Sequence, residues 1–179
     1  MFLVLGAVFV VVITGLWFFF GHNVLVFIGP NRNRFSDLES WGRTSTISTR
    51  KGAIVGLEKL TQKGRVMAFL GIRYGEPPVG DRRFLPPIAA TGWEGTFEAT
   101  RLPNAPVQPT ADLSTQEPNM PVQSEDCLFL SVYTPSTEGA NRPVMVWIHG
   151  GAYITGSANS AVYSLESIPT HDVVLVTIN

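Results

Sequence analysis

The sequence has little to build a cross-linked, charged or metal-binding protein from. One cysteine in 179 residues leaves no partner for a disulfide within the chain. The 13 Lys and Arg residues are matched by 14 Asp and Glu residues, and no local basic cluster stands out. Neutralising a phosphate backbone takes a basic excess, so a nucleic-acid partner is excluded. Three dispersed His and the single Cys give no ligand spacing, and no glycine loop fits a phosphate motif, so neither a metal nor another cofactor is expected. The 17 Gly follow no period, and 45% hydrophobic against 15% charged residues is not the composition of a disordered chain.

The most local deficit is at the start. From Met1 to Pro30 there is no Asp, Glu, Lys or Arg. A bilayer core about 30 Å thick takes roughly 20 apolar residues in a helix, and Phe2 to Phe20 supply them before Gly21-His22-Asn23; Val24 to Ile28 continue the run. Residues 1–30 therefore read as an uncleaved transmembrane anchor. A cleaved signal peptide and a buried core helix are the other readings of this run. The first of these lacks a basic start and a small-residue cleavage site here. His22 reads as an interfacial side chain. Arg32, Arg34 and Arg43 follow the span, which favours a cytoplasmic C-terminal side, with a secreted or luminal one as the alternative. The unpaired Cys127 and the lack of an Asn-x-Ser/Thr acceptor agree with the cytoplasmic side.

Residues 31–50 are polar and without apolar period, and read as a juxtamembrane linker; structure is expected over 51–179. Gly52 to Leu57 and Arg65 to Ile72 look like two short strands around a polar turn at Thr61 to Gly64. Pro77, Pro78, Pro86 and Pro87 then forbid regular structure, and Leu102 to Gln123 reads as a surface loop. Cys127 to Tyr133, Val144 to Ile148 and Val173 to Ile178 are apolar runs. The last two are nearly continuous and rich in β-branched residues, as in strands buried on both faces. With a strand at its very end and no helix to cover it, the fold reads as incomplete.

His149-Gly150-Gly151-Ala152-Tyr153 follows one of those strands. Successive small residues let backbone N–H groups turn towards one point, as stabilising an oxyanion requires, and a plain glycine turn is the alternative. Glu125 and Asp126 are not a catalytic carboxylate pair, because adjacent strand residues point to opposite faces.

Several segments together resemble the type-B carboxylesterase/cholinesterase family of α/β-hydrolases. They are Phe69-Leu70-Gly71-Ile72-Arg73-Tyr74-Gly75-Glu76-Pro77-Pro78-Val79-Gly80 with Arg83-Phe84; Trp93-Glu94-Gly95; Ser124-Glu125-Asp126-Cys127-Leu128-Phe129-Leu130; and Pro143-Val144-Met145-Val146-Trp147-Ile148-His149-Gly150-Gly151. Asp172 to Asn179 is similar to the strand that follows. The resemblance implies the N-terminal part of an α/β-hydrolase fold, with a small antiparallel sheet and the first strands of the central mixed sheet. It also implies ester hydrolysis through an acyl-enzyme, with a small-molecule ester as substrate. The N–H groups of Gly151 and Ala152 are then the oxyanion donors, and Ala152 stands where many members have Gly. His149 is an orienting loop residue, since this fold orders its triad Ser, acid, His.

No Ser in the chain lies in Gly-x-Ser-x-Gly. The resemblance places nucleophile, acid and base downstream of the last strand here. The 179 residues alone are thus expected to be inactive, a piece of a longer serine esterase; a non-catalytic adhesion or scaffold relative is the alternative. The resemblance also implies a structural ion pair between Arg83 and Glu125. Cys127 lacks the upstream Cys many secreted members have near the place of Pro106. The loop Thr110 to Gln123 has no aromatic residue, which argues against choline esters. Trp93 reads as a packing residue, and Arg73 replaces a common Pro without a derivable consequence.

Overall fold

The computed structural model describes residues 38–109, 122–139, 141–160 and 167–179 in full, and the backbone of 17–20 and 24–27. Most of the expected transmembrane anchor, including His22, lies outside these residues, as do Arg32, Arg34 and most of the loop Thr110 to Gln123.

The part of the anchor that is described is not helical. Strands β1 (Trp17–Phe20) and β2 (Val24–Phe27) pair antiparallel, with Trp17 opposite Phe27. Both are made of aromatic, Val and Leu residues, and a continuous apolar run does not by itself separate helix from strand. Among the described residues no helix is long and apolar enough to cross a membrane, a statement about helices only.

The linker expected over 31–50 is, from Leu38 onward, part of the fold. A short 3-10 turn at Leu38–Ser40 delivers Trp41 into the core, and β3 (Gly42–Arg43) and β4 (Ile47–Thr49) follow. Arg43, expected as a charge flanking a membrane span, pairs instead with Glu98. Then come β5 (Gly52–Val55), β6 (Leu57–Thr61), β7 (Gly64–Arg73), β8 (Thr96–Glu98), β9 (Phe129–Thr134), β10 (Val144–Ile148) and β11 (Val174–Ile178).

Two sheets form. The larger is mixed, in the order β10-β11-β9-β7-β6-β3, with β10 and β11 parallel and the other pairs antiparallel. The smaller, in the order β4-β5-β8, is also mixed: β4 and β5 run antiparallel but β5 and β8 parallel, so the expectation of a small antiparallel sheet is corrected for the β5–β8 pair. The chain changes sheets at Gly56. A Cβ there would stand 2.4 Å from the Ala68 carbonyl oxygen, so only glycine lets the backbone pass so close to β7.

β7 is the strand buried on both faces. Val66, Ala68 and Leu70 point into a cluster with Trp41, Leu57, Tyr133 and Leu175, while Met67 and Phe69 point the other way to Ile54 and Ala99. Burying a side chain such as Leu70 or Leu175 contributes about 1.5–3 kcal/mol each. β10, expected to be buried on both faces, is instead the sheet's edge: Met145 is 47% and Ile148 72% exposed. Composition could not reveal this, because edge or centre is decided by which strands pair. The proline-rich excursion has only a 3-10 turn at Gly80–Arg82, as its prolines require.

Candidate active-site loop

The carboxyl ends of the parallel strands β10 and β11 lie side by side, the place where open α/β sheets position their sites. From β10 the chain runs directly into His149-Gly150-Gly151-Ala152-Tyr153; from β11 it runs into Asn179.

Left-handed backbone shapes the loop. Gly151 has φ 133°, and Ala152 and Tyr153 follow with φ 54° and 60°. Such values cost an L-residue about 1–2 kcal/mol, so two non-glycine residues in a row store strain. The turn is closed by hydrogen bonds from the Ile154 and Thr155 N–H groups to the Gly151 carbonyl oxygen, at 2.9 and 3.1 Å. In a trans peptide C=O and N–H point in opposite directions, so this carbonyl, held inward, turns the Ala152 N–H outward. The Gly150 carbonyl oxygen lies 2.8 Å from His149 Nδ1, which in that pairing carries the proton. The Gly151 N–H on the same peptide therefore points away from the imidazole. Among the described residues, neither the Gly151 nor the Ala152 N–H has an acceptor.

Glycine is required twice. A Cβ on Gly151 would stand 1.6 Å from the Thr155 carbonyl oxygen, and one on Gly156 2.4 Å from that of Gly150 and 2.6 Å from His149 Nδ1. A Cβ on Gly150 would meet nothing within 4 Å.

Polar side chains hold the loop from behind. Asn179 Oδ1 accepts from the Ala158 N–H at 2.8 Å and from the Ser157 hydroxyl at 3.4 Å, and its Nδ2 donates to the Asn104 carbonyl at 2.9 Å. The Tyr74 hydroxyl donates to the Asn179 carbonyl, and burial raises the Tyr74 pKa above its ordinary value. The Gln108 side chain bonds both backbone groups of Gly156. Sequence reasoning missed Asn104, Gln108 and Asn179. One signal was available, a polar residue closing the apolar run of β11.

Arg83 Nη2 lies 2.8 Å from Glu125 Oε1, with side chains 52% and 43% exposed. That exposure puts the pair with surface ion pairs rather than buried ones. Its neighbour carries the tighter contact. Arg73 donates to both carboxylate oxygens of Asp126 from the two ends of its guanidinium and lies over the Phe129 ring, and these hydrogen bonds to Asp126 raise the Arg73 pKa. Cys127 is a free, half-buried thiol whose pKa burial pushes up, which lowers its thiolate fraction. Trp93 packs on Phe97 and donates its indole N–H to the Ala53 carbonyl.

Among the described residues, the arrangement offers two outward backbone donors and no side chain placed to attack a carbonyl. The Ser157 hydroxyl is buried against Asn179, and His149 faces its own loop. Among the described residues, no group of three His, Cys, Asp or Glu side chains is placed to hold a metal ion.

Comparison with known proteins matches residues 43–179 to the model of the carboxylesterase family. Acetylcholinesterase-1 of Trittame loki is 42% identical over 141 residues, covering 74% of this chain and 25% of that protein. Para-nitrobenzyl esterase of Bacillus subtilis (strain 168) is 37% identical over 134 residues, covering 74% and 27%. Carboxylesterase 1C of Rattus norvegicus is 40% identical over 156 residues, covering 77% and 28%. A solved structure of a PNB esterase superposes with a TM-score of 0.65 at 36% identity, covering 75% of this chain and 27% of that one, so the sheets are those of an α/β-hydrolase. The chain spans about a quarter of the length of these relatives.

Proposed function

The chain belongs to the carboxylesterase family, and from that premise we propose that it is the N-terminal part of a serine carboxylic-ester hydrolase and supplies its oxyanion-binding loop. The observation that carries this reading is the pair of outward N–H groups on Gly151 and Ala152, at the carboxyl end of β10, which have no acceptor among the described residues. When a serine oxygen adds to an ester carbonyl, charge collects on the carbonyl oxygen. Two N–H dipoles already aimed at that oxygen stabilise it without reorganising; removing one such donor costs about 10²–10³ in kcat. The left-handed strain at Ala152 and Tyr153 keeps the donors turned out before substrate arrives. His149 orients the first donor by holding the Gly150 carbonyl.

A small-molecule carboxylic ester is the substrate class, supported by relatives whose names are those of esterases. The serine, acid and base belong to the rest of such a protein, so the 179 residues by themselves hydrolyse no ester. Membrane attachment through residues 1–30, with residues 51–179 on the cytoplasmic side, is part of the same proposal. Its support is the uncharged run and Arg32 and Arg34 after it, and resistance to alkaline carbonate extraction tests it.

Sequencing the transcript past the codon for Asn179 tests the enzymatic reading. A continuation with Gly-x-Ser-x-Gly, then an acid and a His, is expected. A stop codon, or a continuation without that serine, would overturn it, the latter in favour of an adhesion or scaffold relative.

A further inference from the structure

We propose that Gln108 is the positioning residue of the oxyanion-binding loop, acting through Gly156; the inference rests on the reading of that loop given above. Gln108 Oε1 accepts from the Gly156 N–H at 2.7 Å, and Nε2 donates to the Gly156 carbonyl oxygen at 2.9 Å. One side-chain amide thus pairs both polar groups of one residue, as a neighbouring strand would. Nε2 also donates to the Pro106 carbonyl at 3.0 Å, so all three bonds agree on which end of the amide is oxygen.

Gln108 is itself braced. Its N–H donates to Gln123 Oε1 at 3.0 Å, and Ala105 bridges Gln123 in parallel register, with bonds from the Ala105 N–H to Val122 and from the Ser124 N–H to Ala105, both 2.9 Å. The segment behind Gln108 is therefore tied to the stretch leading into β9.

The clamp reaches the donors through close contact. Gly156 sits so near Gly150 and His149 that a Cβ on it would overlap both. Holding Gly156 therefore holds the two ends of the loop together. Between those ends the Gly151 carbonyl is fixed by Ile154 and Thr155, and its orientation sets that of the Ala152 N–H. Without the amide, both half-buried polar groups of Gly156 lose their partner, and the loop gains conformations in which the donors turn elsewhere.

Amide hydrogen exchange on the full 179-residue chain tests this with two variants. Q108A is expected to lower protection at Ile154, Thr155 and Gly156 by at least about tenfold while Tyr133 and Leu175 keep theirs. Q108E separates positioning from packing. Its carboxylate accepts from the Gly156 N–H but repels the Gly156 carbonyl, whereas the protonated acid both accepts and donates as Gln does. Protection is expected to be lost at pH 7 and regained near pH 4, relative to the unsubstituted chain at each pH. Unchanged loop protection in Q108A overturns the proposal. If Q108A instead loosens the whole sheet, Q108E decides: regain at low pH supports the proposal, and no regain overturns it. None of these readouts involves turnover, so a transcript without the catalytic serine would sink the esterase reading and leave this result standing.

Discussion

Arg73 grips Asp126 with both ends of its guanidinium, at 2.6 and 2.8 Å, while its Cζ lies 4.4 Å from the centre of the Phe129 ring. The contact joins the end of β7 to the segment entering β9. Each side chain is about a third exposed, 30% and 31%, so solvent screens the pair only in part.

Substituting Asp126→Ala is expected to cost about 1–2 kcal/mol, the lower part of the range for hydrogen bonds to charged groups. Arg73→Lys should recover less than half of what Arg73→Ala loses, because an ammonium cannot fork onto both carboxylate oxygens as the guanidinium does. Arg83→Ala should cost no more than about 1 kcal/mol, since that pair is the more exposed. Urea midpoints at constant m-value measure all four, and a larger loss at Arg83 than at Asp126 would contradict the ranking.

In the glycine loop, Gly151→Ala and Gly156→Ala are expected to abolish exchange protection at Ile154 and Thr155 while the sheet persists, because each Cβ meets backbone oxygen below 2.5 Å. Gly150→Ala should leave that protection unchanged. Ala152→Gly removes one left-handed L-residue, at φ 54°, and should stabilise by about 1 kcal/mol with the N–H donor kept. Equal effects at Gly150 and Gly151 would show that the turn is not built as described.

Alkaline pH should destabilise the chain. Burial raises the pKa values of Cys127 and Tyr74 above their ordinary 9.0 and 10.0. The folded state then holds protons that the unfolded chain has released, so stability is full below about pH 9 and falls as pH rises from there through the two raised values. Tyr74→Phe should cost about 1 kcal/mol at pH 7 by removing the bond to the Asn179 carbonyl, and should flatten the alkaline decline. Unfolding titrations at pH 7 to 11 measure both, and a stability that rises across that range would refute the assignment.

The edge strand β10 should mediate self-association of the chain. Val144, Val146 and Ile148 share one exposed face, on an edge with no charged residue within the strand. Light scattering is expected to rise with concentration, and Val146→Lys to reduce it several-fold. Equal scattering from the variant would place the contact elsewhere.

Elements whose evidence is local were legible in the sequence. Val144 to Ile148 and Val173 to Ile178 are strands within one residue of the expected ends, and the turn of residues 61–64 joins β6 to β7. Prolines 77, 78, 86 and 87 keep their segment irregular for the reason that proline gives in any sequence. Residues 38–50 were misread because β3 and β4 are two and three residues long and hold their shape only through partners far along the chain. The strands at 17–20 and 24–27 were misread as helix, because the run is apolar throughout and carries no period. Gln108 lay in a stretch with no periodicity at all, and its role depends on a residue 48 positions away.

By itself the sequence determined the continuous apolar run of β7, the breaks made by proline and glycine, and the run of small residues after β10. It also determined the family, because that rests on motifs in order along the chain. Those properties belong to single residues and near neighbours. Only the tertiary structure decided that β10 is an edge, that Arg73 rather than Arg83 carries the tighter ion pair, and that Gln108 and Asn179 hold the loop. Each of these depends on distant segments meeting at hydrogen-bond distance, and no local pattern specifies which will meet.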